Sequence, residues 1–98
     1  MIFGLFGEEK KRIAEIVAAA RAGDTEKVKQ LLAKGVDINA SEPESGDTAL
    51  LAAIDKGQWA TAEYLLTQRP DLTREDNNGN SPLYLAVSRG DSAVAMVK

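Results

Sequence analysis

The chain has 98 residues, a net charge of −3, 44% hydrophobic and 28% charged residues, a balance that suits a folded globular chain and not a disordered one. It contains no cysteine and no histidine, which removes disulfides, thiolate nucleophiles and every Ser-His, Cys-His or His-zinc arrangement. Charge is uneven: residues 1–34 carry +2, residues 35–80 carry −6 and residues 81–98 carry +1. So acidic a centre repels phosphate and speaks against nucleic acid as a partner.

The chain opens on Met1-Ile2-Phe3-Gly4-Leu5-Phe6-Gly7, too short for a membrane span and without the positive leader of a signal peptide. Ile2, Phe3, Leu5 and Phe6 are expected to cap an open end of the first unit, leaving Glu8 to Arg12 as the polar start of helix one. Anchoring to a membrane surface or a second chain is the alternative. No apolar run approaches the length of an integral span, and a cytoplasmic setting is the default expectation. The sequon Asn39-Ala40-Ser41 is idle without a secretory signal.

The next elements repeat. Ile16-Val17-Ala18-Ala19-Ala20-Arg21-Ala22-Gly23 is followed 34 positions later by Leu50 to Gly57, and 33 positions after that by Leu83 to Gly90. In each, apolar residues fall at i, i+3 and i+4: Ile16/Ala19/Ala20, Leu50/Ala53/Ile54 and Leu83/Ala86/Val87. That spacing predicts one buried stripe on an α-helix. Gly23, Gly57 and Gly90 stand where such a helix must stop, and Asp24 and Asp91 follow in the N-cap position of a second helix. Val28/Leu31/Leu32 and Ala62/Leu65/Leu66 carry the same rhythm there. The units divide the chain into residues 1–12, 13–45, 46–78 and a partial 79–98. No unit offsets its own ordering entropy alone, so the units must stack.

The loops between units are turn-rich. Asp76-Asn77-Asn78-Gly79 contains Asn-Gly, a hairpin signal, and Ser41-Glu42-Pro43-Glu44-Ser45-Gly46 is its counterpart with one inserted residue. A calcium loop is excluded: with Gly79 sixth, positions one and twelve are Arg74 and Leu85, not carboxylates. Exposed pairs such as Glu44/Asp47 lack the desolvation that acid–base catalysis needs, so no enzyme and no cofactor is expected.

Thr48-Ala49-Leu50-Leu51-Ala52-Ala53 and Ser81-Pro82-Leu83-Tyr84-Leu85-Ala86 resemble the Thr-Pro-Leu-His-x-Ala signature of ankyrin repeats. Gly35-Val36-Asp37-Ile38-Asn39-Ala40 resembles that family's repeat end, with Arg69-Pro70-Asp71-Leu72-Thr73 a weaker copy. The resemblance implies an all-α solenoid of helix-turn-helix units joined by β-hairpin-like loops, binding a partner protein through hairpin tips and the concave first-helix surface. The family's variable positions fall on Glu44, Ser45, Asp47, Asp55 and Lys56, then on Asn77, Asn78, Asn80, Ser88 and Arg89, with Glu75 adjoining. Such an acidic-to-polar patch suits a partner with a basic surface.

The departures are Val17, Leu51 and Tyr84 at the family's His, and a third unit whose sequence stops at Met96-Val97-Lys98. A fragment of a longer array is expected from that end. Self-association through the unfinished C-terminal repeat, giving a homodimer, is the alternative function. Tyr64 is expected to pack, while Trp59 is open between packing and partner contact.

Overall fold

The computed structural model describes residues 2–89, with side chains from Glu8 onward. Five helices follow in order: α1 (Ile2–Ala22), α2 (Thr25–Ala33), α3 (Ala49–Asp55), α4 (Trp59–Thr67) and α5 (Pro82–Ser88). No strand occurs among the described residues. The third unit's second helix, with Gly90, Asp91, Val94 and Val97, lies outside them.

Helix starts follow the sequence closely. The side chains of Asp24, Thr48 and Ser81 accept hydrogen bonds from the Lys27, Leu51 and Tyr84 N–H groups, each satisfying one orphan donor of a first turn. Pro82 occupies the first turn of α5, where no N–H is needed. Helix ends obey the same economy. Gly23 adopts φ +78°, Asp24 N–H donates to Ala19 O at 2.8 Å and Gly23 N–H to Ala20 O at 3.1 Å, the paired bonds of a Schellman end. α3 closes in the same way, with Gln58 N–H on Ala53 O at 2.8 Å.

α4 ends differently from α2. α2 closes on Gly35, and Val36 N–H reaches Leu31 O at 3.2 Å. At the matching place α4 has Arg69, held at φ 55°, followed by Pro70, which has no N–H to donate. A Cβ sits in the left-handed region and one closing bond is missing, so this corner is strained.

The first helices form one layer, α1 against α3 and α3 against α5, while α2 and α4 form a second layer on them. Small residues let the helices approach: Ala49, Ala52 and Ala53 are all buried, together with Leu50, Leu51 and Ile54. Ile16, Val17, Ala19, Ala20, Val28, Leu31, Ala62, Leu65, Leu85 and Ala86 complete the core, with Ile13, Leu32, Trp59 and Tyr64 packed on its edge. Tyr64 thus packs as expected, and its ring also lies 5.1 Å below the Lys29 ammonium. Thr25 and Thr61 share a hydroxyl hydrogen bond of 2.7 Å between the second helices.

Three expectations need correction. Helix one begins at Ile2, so Glu8–Arg12 lie within it; how Ile2, Phe3, Leu5 and Phe6 pack lies outside the described side chains. The stripe Leu83/Ala86/Val87 is only partly buried, since Leu83 is 69% and Val87 67% exposed. Leu66 of the second Leu-Leu pair is also exposed. All three side chains lie on the side where the next unit would pack, and no described helix reaches them.

Candidate protein-binding surface

The loops between units are tight turns without a strand ladder. In the first, Glu42 N–H donates to Asp47 O at 2.9 Å and Gly46 N–H to Glu42 O at 2.7 Å. In the second, Asp76 N–H donates to Asn80 O and Gly79 N–H to Asp76 O, both at 3.0 Å. The pairing spans one residue more in the first loop, where the inserted residue sits.

The two turns are fastened to each other. Asn77 N–H donates to Ser45 O at 3.0 Å, and its side-chain amide donates to Pro43 O at 3.2 Å and Glu44 O at 3.1 Å. The approach is so close that a Cβ on Gly46 would lie 2.5 Å from Asn77 N. Glycine is required there twice over, by its φ of +75° and by its neighbour.

Asp76 organises the second turn from within. Its carboxylate accepts from the Asn78 and Asn80 N–H groups, each at 2.9 Å, and from the Asn80 amide at 3.0 Å. Burial alone would raise its carboxyl, but these donors outweigh burial and hold it below the ordinary carboxylate range. Asp71, in the preceding loop, is also held low by the Thr73 hydroxyl and N–H, aided by Arg74.

Asp47, expected on the outer surface, is instead 8% exposed. Its carboxylate takes a 3.0 Å hydrogen bond from Arg21, and Glu42 approaches the same guanidinium at 3.6 Å. Burial raises the Asp47 carboxyl; Arg21 counters only part of this, and Asp76 and Asp55 push upward with burial. The residue ties the base of the first turn to α1. It offers a partner nothing.

The remaining candidates separate into braces and outward groups. Ser45 is a brace, donating to Glu42 Oε1 at 2.8 Å and accepting from Asp47 N–H. Asn77 and Asn80 are consumed by the bonds above. Asp55 and Arg89 form an ion pair across α3 and α5, and Arg89 Nε also donates to Asp55 O at 3.0 Å. Glu44, Lys56, Glu75, Asn78 and Ser88 are exposed; the Ser88 hydroxyl bonds back to Leu85 O. The sequence reading did not single out Leu72, which is 54% exposed, or the 60% exposure of Tyr84. Each has an apolar counterpart one unit earlier, Ile38 or Leu51, that is more deeply covered, so residue type alone carried no signal.

Among the described residues no three His, Cys, Asp or Glu side chains are grouped to hold a metal ion, and no helix is long and apolar enough to cross a membrane. What is present is a stack of near-identical helix-turn-helix units presenting a braced row of loop tips. This is the architecture of a repeat solenoid whose continuous core exists only between units. The family model for ankyrin repeats, in three copies, matches residues 16–98, and the chain belongs to the ankyrin-repeat family.

It is 40% identical over 76 residues to the ankyrin repeat and KH domain-containing protein mask of Drosophila melanogaster, covering 76% of this chain and 2% of that protein. It is 33% identical over 78 residues to the putative ankyrin repeat protein YahD of Escherichia coli, covering 80% of this chain and 38% of YahD. Among solved structures, the ankyrin domain of AnkB from Legionella pneumophila superposes with a TM-score of 0.80 at 28% identity, over 93% of this chain and 88% of that one. The chain thus spans only a small part of curated relatives such as mask. Ankyrin repeats are in general protein–protein interaction modules without catalytic activity.

Proposed function

We propose that this chain binds a partner protein through its loop tips and the adjoining surface of its first helices, at Glu44, Lys56, Glu75, Asn78 and Ser88. The observation that carries this reading is the Asn77 brace. It consumes inward-facing polar groups to hold two tips in fixed register, so the outward groups are preorganised and lose little entropy on binding. The outward acids Glu44 and Glu75 favour a partner segment bearing Lys or Arg, with charge serving encounter rate more than affinity. Peptide or protein ligands selected from a display library against the native chain test it. Replacing Glu44, Glu75 and Asn78 together by Ala is expected to weaken such ligands at least tenfold, and to slow association more at low salt than at high salt. Ligands that bind the triple variant unchanged would refute the assignment.

A further inference from the structure

We infer that the exposed face of α5 is a docking surface for the α1 face of a second copy of this chain, joined head to tail. This surface is separate from the loop tips. Each first helix uses two faces. Toward the following unit, Ile16 and Ala20 of α1 and Leu50 and Ile54 of α3 are at most 2% exposed; the matching Leu83 and Val87 of α5 are bare at 69% and 67%. Tyr84, at 60%, and Leu66, at 37%, extend the bare patch. Toward the preceding unit, Ala52 of α3 and Leu85 of α5 are buried, whereas the matching Ala18 of α1 is exposed, as are Ala14 and Ala22 one turn to either side. One end of the stack therefore shows large apolar side chains and the other a shallow alanine stripe. Within the chain these two kinds of face already meet twice, at α1–α3 and α3–α5.

Charge selects the second copy over an arbitrary apolar partner. In the repeat register Arg12 stands where Gly46 and Gly79 do, so Lys10, Lys11 and Arg12, all exposed, occupy the loop position of the first unit. Stacked on α5 in that register, they would lie beside the second loop, with Glu75 and Asp76. That loop's outer carbonyls accept no bond among the described residues, whereas those of the first loop accept from Asn77. Basic head and acidic tail are complementary, and two tails brought together are not. The contact joins two different patches, so it propagates into rings or open chains and not closed two-fold dimers.

Sedimentation equilibrium of the full chain tests this across roughly 5 to 500 µM, where small interfaces dissociate. The average mass is expected to climb beyond two chains and to fall back as salt rises. Leu83→Glu and Ala18→Arg change exposed positions, so each variant should keep native thermal unfolding while remaining a single chain. An equimolar mixture of the two variants is expected to form a species of two chains and no larger, because each retains the face the other has lost. A native chain that stays single at every concentration overturns the inference. So does association that Leu83→Glu abolishes and Ala18→Arg leaves intact, the result for tail-to-tail pairing.

Discussion

α3 and α5 carry the same apolar pattern one unit apart, yet their side chains have different surroundings. Every residue from Ala49 to Ile54 is buried, whereas α5 buries Pro82, Leu85 and Ala86 and leaves Leu83, Tyr84 and Val87 in solvent. α3 has a helix on either side; among the described residues α5 has one. Burial in this fold is thus conferred by neighbours. The loops show the same contrast in miniature: Gly46 is pressed against Asn77, while a Cβ on Gly79 would meet nothing within 4 Å.

The comparison is most sharply tested by paired substitutions. Leu50→Ala removes a fully enclosed side chain and is expected to cost about 3 to 4 kcal/mol, enough to unfold much of so small a domain. Leu83→Ala, the same change one unit later, should cost less than about 1 kcal/mol in dilute solution. Urea midpoints of both variants would decide, and equal losses would mean that α5 is enclosed as α3 is. Next in size are the loop glycines. Gly46→Ala combines a left-handed Cβ with a collision against Asn77 and should cost about 2 to 4 kcal/mol, against about 1 to 2 kcal/mol for Gly79→Ala, where only the backbone strain applies.

Arg69→Gly runs in the opposite direction. It restores at the end of α4 the residue that closes α2, and should stabilise by up to about 1 kcal/mol in the same urea titration. A loss would show that the Arg69 side chain is worth more than the strain it imposes.

The three perturbed carboxyls predict a pH dependence with two signs. Asp71 and Asp76 are held low in the folded chain. The stability they contribute is present above the unfolded value of about 4 and is lost as pH falls through their folded values. Asp47 is raised; its contribution is full below the unfolded value and is lost as pH rises through the folded one. Urea midpoints between about pH 3 and pH 7 should therefore show a smaller acid loss in Asp76→Asn than in the native chain. Asp47→Asn should lack the native chain's opposing decline as pH rises.

Much of this architecture was legible in the residues. The glycine spacing located the ends of α1 and α3 at Gly23 and Gly57, and Asp24 announced the cap of α2, because these are local requirements of backbone geometry. The candidate surface was less legible. Asp47 has the polarity of an outward loop residue, and only Arg21, 26 positions away, turns it inward. Asn77 likewise looks free until the preceding loop is placed beside it. Leu83 and Val87 match Leu50 and Ile54 in type and spacing, so no pattern within the unit separates a covered face from a bare one. Exposure here is a relation between units, and spacing along one unit does not contain it.

Native-state hydrogen exchange in dilute solution tests the role of neighbours most directly. The amides of Ala53 to Gly57, closing α3 between two helices, should exchange at the slowest rates in the chain. Those of Leu85 to Arg89, closing α5, should open at least about 100-fold more readily, a gap of about 3 kcal/mol. Equal protection of the two helices would contradict the account, because a helix flanked on one side would then be as well held as one flanked on both.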